Sequence, residues 1–579
     1  MALIKEYFAL TEKYTAEYGA NTVVLLQVGA FFEVYGQIVT PADGGGATVT
    51  CTGSRIDDFC SICELAKANK TPGFLMAGFR DYGLDKYLKK LQDAGYTAVV
   101  YVQDGLKTPP VRVLQGIYSP GTYFSCDIAP SGGGGGGGGA ALSNNIACIW
   151  IEKISRTLIM GMTNIDVYTG RATIFETENK DSHNPTTYDE VERFISSYMP
   201  SEVILISNLS TREVEDIIHY TNIQAKMIHR VSTTTGAGVS VKAERCTKQI
   251  YQMEVLNTFY PEGRAKSLEQ SFMNYTIATQ SLVYLLNFIY EHNPSLVSKI
   301  QEPLFENMSE RLILANHSLR QLNIIDDGNT GGGGGGGGAG TGRLSSVLSL
   351  LNHTVTPMGS RAYKYALLHP TFNETQLEQD YAITEYILSV SLSLDTGLSY
   401  QAFREKLAFM KDIEKLHRHI ILRKITPYHT HCMFHNLRHI RELYSACLRD
   451  STIARHLSER WNIRDDVVGK STLLLDMFEK TLNMDLCRDI TDTLFETNII
   501  QRGISAELDK LTDEYQYTQK SLGEVQQLLN ELICDGVHQL LDDNPPIHEN
   551  SKENYINSCL LYTSPSPRDG LLSRMPSSA

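Results

Sequence analysis

A change of texture near residue 263 constrains this chain more than any other feature. Before it, short β-branched runs alternate with amphipathic helical stretches; after it, apolar residues recur every three or four positions over segments too long for strands. In the first part, Leu3, Tyr7, Leu10 and Tyr14 mark a helix that stops near Gly19, and Thr22–Val28 reads as a buried strand. Leu84, Tyr87, Leu88 and Leu91 line a second helical face, capped at Gly95 before a strand at Tyr96–Val102. Further on, Asn145–Ile154 and Thr157–Met162 read as a strand pair and Thr169-Gly170 as a turn. Val191–Tyr198 reads as a helix, with a strand at Val203–Ile206. Beyond the change, Ile277, Leu282, Leu285, Leu286 and Ile289 share one helical face, and 399–425, 431–448, 471–497 and 505–534 are equally helical. The expected architecture is two α/β modules followed by a long helical region.

At roughly 150 residues per domain, 579 residues amount to three or four domains. The formal charge of −14 excludes a protein that coats nucleic acid by bulk charge, where neutralised phosphates carry the affinity. A locally basic or shape-reading site stays open. Two runs, Gly132–Gly139 and Gly331–Gly338, interrupt patterned sequence and read as linkers or insertions rather than as functional elements. The amino terminus carries Lys5, Glu6, Glu12 and Lys13 and no apolar core, so it is not a signal peptide. No stretch approaches the ~18 uncharged apolar residues of a membrane span. Eleven cysteines over so long a chain suggest reduced thiols and an intracellular protein.

Several motifs admit a chemical reading. Cys60-Ser-Ile-Cys63 has no second pair at a zinc-ribbon spacing and reads as ordinary thiols. His431, His435 and His439 fall on one helix face, either as a weakly basic surface or as metal ligands. Asp166 near a strand end raises a nuclease reading, but spacing pairs no second carboxylate with it, and a turn Asp is the simpler account. Gly469-Lys-Ser471 lacks the earlier glycine of a phosphate loop, since Arg464 stands there, and reads as a polar turn before a helix. In Gln27-Val-Gly-Ala-Phe-Phe-Glu-Val-Tyr35, Phe31 and Phe32 beside Glu33 are either core aromatics with a solvated carboxylate or a wedge and a hydrogen-bonding group.

Three stretches resemble the MutS family of DNA mismatch-repair proteins. They are Gly29, Phe31 and Glu33 in a Gly-x-Phe-x-Glu pattern, Met76-Ala-Gly-Phe79, and Leu351-Asn-His-Thr-Val-Thr-Pro-Met-Gly-Ser-Arg361, in the family's order and spacing. The opening form is similar to MutS relatives of large DNA viruses. The resemblance implies a multidomain fold: an α/β mismatch-recognition domain (1–112), an α/β RNase H-like connector (113–262), a mainly helical core and lever (263–510), and a lever helix with the start of a clamp (511–558). Residues 559–579 resemble adapter-derived read-through, so the chain is expected to be an amino-terminal fragment. In the core motif, Thr356 is expected to N-cap a helix with Pro357 at its first position, leaving Ser360, Arg361 and Lys364 facing outward. Arg502–Asp509 resembles the turn before the lever helix, and 547–557 its first clamp strand.

The resemblance also assigns roles. Phe31 would enter from the minor groove and stack on a mispaired base, kinking the duplex; Glu33, two positions on, would accept one hydrogen bond from a base edge; Gly29 supports the loop. Mispaired steps bend more easily, so deformation energy discriminates. Residues 1–108 hold ten Lys+Arg against twelve Asp+Glu and have no electropositive footprint, so tight binding should require an intact clamp around the duplex. The intact parent is expected to be a homodimer with ATP and Mg in an ATPase domain beyond this chain, to bind double-stranded DNA with mismatches or loops, and to engage downstream repair proteins, with no membrane partner. Two alternatives stand: a structural MutS relative that binds branched DNA without reading mismatches, and a nuclease in the connector or in a lost downstream domain.

Overall fold

The computed structural model describes residues 2–39, 50–104, 111–124, 142–180, 185–234, 240–261, 264–306, 312, 317–325, 346–392, 399–463, 466–492, 495, 497–534, 547–550 and 555–558. Both glycine runs, Arg464 and the 559–579 tail lie outside these residues.

The first module is a mixed sheet between helices. Its strands are β1 (Thr22–Val28), β2 (Phe31–Val39), β3 (Thr50–Thr52), β4 (Ala68–Thr71), β5 (Phe74–Arg80), β6 (Thr97–Asp104) and β7 (Val111–Tyr118), in the order β4-β5-β2-β1-β6-β7 with β3 beside β2. β1 pairs antiparallel with β2 and parallel with β6, and its β-branched residues are buried on both faces, as a central strand requires. Helix α1 (Ala2–Tyr18) covers one face: the Tyr7 ring meets Tyr35 edge-on at 5.2 Å, and the Tyr14 and Tyr101 hydroxyls share a 2.8 Å hydrogen bond. Helices α2 (Ile56–Cys63) and α3 (Leu84–Asp93) cover the other, where Phe79 touches Phe32 and Phe59 and stacks on Tyr87 at 4.2 Å. The two-residue period of β2 therefore sends Phe32 and Val34 toward α2 and α3, and Glu33 and Tyr35 toward α1.

The second module holds β8 (Asn145–Ile154), β9 (Thr157–Asp166), β10 (Arg171–Lys180), β11 (Glu202–Ser207), β12 (Met227–Ser232) and β13 (Leu304–Phe305), in the order β12-β11-β8-β9-β10-β13. β8, β9 and β10 form a meander of antiparallel ladders, whereas β11 and β12 add in parallel. Helices α4 (Asp189–Tyr198) and α5 (Thr211–Tyr220) pack Val191, Phe194, Val214 and Ile217 against Ile149, Ile151 and Val203. The opposite face is covered by the helix Thr276–His292, whose Ile277, Leu282 and Leu285 join Cys148, Trp150 and Ile165 in one core. Backbones approach closely there. A Cβ at Gly161 would lie 2.3 Å from the Ala278 nitrogen, and the Ser281 hydroxyl donates to the Cys148 carbonyl at 2.8 Å. The core of this sheet thus runs past 262, where the sequence suggested an edge, to Ile300, and takes in Leu422 as well.

The remainder is mostly helical. Thr356 Oγ1 accepts from Gly359 N–H at 3.0 Å and Pro357 opens the helix Pro357–Leu368, so that start was legible. The segment 399–425 is instead two helices, Tyr400–Ala408 and Ile413–Ile421. Asp412 caps the second, and the Asn436 amide bonds both the N–H and the carbonyl of Lys411, satisfying the backbone that the break exposes. Arg361 does not face outward: its guanidinium grips Asp412 through two 2.7 Å bonds and Glu414 through two more, because those carboxylates open the neighbouring helix beside it. Ser360 is half-buried with its hydroxyl on Thr354, and Lys364 is half-buried too.

Gly469-Lys-Ser471 lies within the first turn of the helix Val467–Thr481, with Asp466 accepting from Gly469 N–H at 2.7 Å, rather than in a turn ahead of it. A second compact unit begins at Leu473. In it the expected 471–497 helix stops at Thr481, and Asn483 caps a short helix Met484–Asp489. Gly503, at φ +89°, turns the chain into the 29-residue helix Ala506–Cys534. Residues 547–557 give two strands, Ile547–Asn550 and Tyr555–Ser558, paired antiparallel, rather than one. Among the described residues no helix is long and apolar enough to cross a membrane.

Candidate nucleic-acid interface

The β1–β2 connection is two residues, Gly29-Ala30, because Val28 pairs with Phe31. Gly29 sits at φ +61° in the first central position, the backbone that such hairpins ask of glycine. Its N–H donates to Gln103 Oε1 at 3.1 Å, Gln103 N–H donates to Gln27 Oε1 at 2.9 Å, and the Arg112 guanidinium donates to the Gln27 carbonyl at 3.0 Å. On the other side, Asp81 N–H donates to the Ala30 carbonyl at 3.0 Å. The turn is therefore held from both flanking strands, not left to wander.

On this rigid tip Phe31 is 43% exposed while its neighbour Phe32 is 2% exposed. Leaving nearly half of a Phe side chain unburied forgoes about 1 kcal/mol of apolar transfer, a loss that folding alone does not explain. Arg80, its register partner on β5, lies with its guanidinium 5.9 Å from the ring centroid, and Tyr82 beyond it is 85% exposed. Sequence reading passed over Arg80, Tyr82, Gln103 and Arg112. The signal was available only for Arg80, which directly follows Met76-Ala-Gly-Phe79.

Glu33 is placed differently. It shares the strand face of Phe31 but is 6% exposed, under α1, and accepts a hydrogen bond from the Tyr35 hydroxyl. Burial, followed by the hydrogen bond to Glu33 and its charge, pushes the Tyr35 hydroxyl pKa up, so this proton stays on tyrosine. The backbone makes room here: a Cβ at Gly78, opposite Glu33, would lie 2.5 Å from the Phe32 carbonyl oxygen. The wedge candidate is presented and the carboxylate is stored.

The other chemical candidates resolve into structural roles. Asp166 is buried and accepts from Asn144 N–H, Tyr168 N–H and Thr169 Oγ1 at 3.0, 3.1 and 2.7 Å, which ties its carboxylate to the turn at Thr169-Gly170. Cys60 and Cys63 are buried on α2, and burial pushes the Cys63 thiol up to about 12, so it stays protonated. His431 and His435 pack ring against ring at 4.4 Å. Among the described residues no three His, Cys, Asp or Glu side chains gather where they could hold a metal ion.

Mixed α/β modules that carry a braced hairpin with an outward aromatic, followed by a mostly helical region, define a scaffold consistent with MutS domains. Residues 317–552 match the family model for MutS domain III. A mutS homolog of Acanthamoeba polyphaga mimivirus, named as a DNA mismatch repair protein, is 24% identical over 576 residues, covering 92% of this chain and 47% of the relative. A mitochondrial DNA mismatch repair protein mutS homolog of Sarcophyton glaucum is 22% identical over 71% of this chain and 42% of its own. The DNA mismatch repair protein MutS of Caldanaerobacter subterraneus subsp. tengcongensis is 22% identical over 88% of this chain and 50% of its own. These matches support a MutS family protein. The chain spans about half the length of the curated relatives it matches.

Proposed function

We propose that this chain is the mismatch-reading, connector and core part of a DNA mismatch-repair protein, and that Phe31 reads the duplex as a wedge. The observation that carries this is the ring's exposure at a turn braced by Gln103 and Asp81. Stacking a base on an aromatic ring gains about 1–3 kcal/mol. Opening a paired step costs a few kcal/mol and a mispaired one less, so the balance tips toward insertion only at the lesion. Glu33 then exchanges the Tyr35 hydroxyl for a displaced base edge. At a normal pair no base edge is displaced, so the carboxylate keeps its tyrosine partner and only a mismatched step gains the new hydrogen bond. The module 1–112 acts as mismatch reader and 113–262 as an RNase H-like connector. The intact parent acts as an intracellular homodimer, with ATP and Mg in a further domain and repair proteins as partners.

The exposed wedge favours mismatch reading over the embrace of branched DNA, and the fully hydrogen-bonded Asp166 disfavours a connector nuclease. The test is a competition between mismatched and matched duplexes for wild type and Phe31→Ala. Mismatch preference should fall by about tenfold or more, while binding to matched duplex, which rests on backbone contacts, changes less. Undiminished preference in Phe31→Ala would refute the reading.

A further inference from the structure

A cleft of about 340 Å³ lies where β9, β10 and α4 of the second module meet the helix Pro357–Leu368. Three features of its lining do not belong together in an empty groove. Asn164 Oδ1 and Ser197 Oγ are buried without a hydrogen-bond partner, although the Asn164 amide nitrogen is committed to Asn145 Oδ1 at 2.9 Å. Lys364 brings an ammonium that touches the Met199 sulfur at 3.6 Å and meets no carboxylate among the described residues. Burial lowers the Lys364 pKa, the mark of a cation short of a counter-charge. The third feature is a flat apolar flank. Tyr365 stacks on His369 at 4.2 Å with the rings 19° apart, keeps 42% of its surface exposed, and stands beside Leu368.

The other charges in the lining are accounted for. Arg361 and Arg171 both hold Glu414, and Arg361 also holds Asp412. Asp166 is occupied by its own turn, and Glu302 is exposed to solvent. Water could satisfy Asn164 and Ser197, but it leaves the ammonium unneutralised.

We propose that this cleft binds a small organic anion built on a flat ring, of nucleoside-monophosphate or aromatic-carboxylate type. Its anionic group meets Lys364, its ring lies on Tyr365, and a ring donor meets Asn164 Oδ1. The volume is that of a small-ligand pocket with a few convergent polar groups. The inference is independent of the hairpin, so it stands or falls apart from mismatch reading.

Titration calorimetry on the full 579-residue chain tests it with four probes: adenosine 5′-monophosphate, 4-aminobenzoate, adenosine and inorganic phosphate. At least one of the two ring anions should saturate, with adenosine and phosphate each about tenfold weaker or worse. Lys364→Met should weaken that anion by about tenfold, Lys364→Arg should largely restore it, and Tyr365→Ala should weaken it through the ring. No saturation by either ring anion up to about 10 mM would overturn the proposal, as would adenosine matching its monophosphate or Lys364→Met leaving affinity unchanged. Should Lys364→Met fail to fold by circular dichroism, undiminished affinity in Tyr365→Ala overturns it equally.

Discussion

The two sheets end a strand pair with the same device and use it in opposite ways. Gly29 at φ +61° turns β1 into β2, and Gly170 at φ +74° turns the chain from β9 into β10. At the first, the next residue but one is a phenylalanine left 43% exposed. At the second, the buried Asp166 gathers three hydrogen bonds, and a Cβ on Gly170 would come within 3.4 Å of the Arg418 guanidinium. One turn faces solvent and withholds an aromatic from the core; the other is buried against Arg418. The difference teaches that a glycine turn alone says nothing of function. What distinguishes the hairpin is an apolar group with nothing to gain from where it is.

The contrast breaks most readily in the second module, where groups are committed inward. Arg193, 3% exposed, pairs with Glu190 and Glu306; Arg193→Ala removes the buried cation between two carboxylates and should lower the unfolding free energy by about 3–5 kcal/mol in urea titrations. A loss under about 1 kcal/mol would mean that the network is not what holds this region. Acid should probe the same commitment. Burial holds His292 down at about 4, so protons favour the unfolded chain as pH falls from 6.5 toward 4. Burial alone would raise Glu306, but the His369 hydrogen bond and the Arg193 charge hold it at about 2, so its contribution, present above 4.5, is lost as pH falls toward 2. A urea midpoint at pH 4.5 equal to that at pH 7 would contradict an expected loss on the order of 2 kcal/mol.

Gly161→Ala forces the helix Thr276–His292 off β9 and should cost about 1–3 kcal/mol, read by thermal melting. At the hairpin the effects move from stability to binding. Tyr35→Phe removes the hydroxyl that stores Glu33 and should widen the gap between mismatched and matched duplex by about fivefold, the worth of one hydrogen bond. An unchanged gap would show that Glu33 never leaves α1. Smallest of all, Phe31→Ala should alter unfolding free energy by no more than about 0.5 kcal/mol. A larger loss would make Phe31 a structural residue and dissolve the comparison.

Much of the first 262 residues was readable because strands and helices there declare themselves within a window of ten. β1, α1, α3, β8, β11 and the Thr356-Pro357 helix start follow from local pattern alone. What escaped depends on partners distant in sequence. Arg361 turns inward for Asp412 and Glu414, some fifty residues on. The helix Thr276–His292 joins the second sheet because Gly161 lets it descend, which no periodicity announces. At the site, alternation gave Phe31 and Glu33 a common face, but only the placement of α1 decides that the face is open at one residue and closed at the other.

The paired phenylalanines of β2 have a consequence for how this hairpin tolerates insertion. A slip of one residue would still leave an aromatic at the outward position, since Phe32 would take the place of Phe31. It would also drive Glu33, with Tyr35 beside it, into the apolar face that Phe32 and Val34 now fill near Phe59 and Phe79. The carboxylate is thus the strand's alignment mark: a misaligned hairpin could keep its aromatic tip, yet it could not keep its fold.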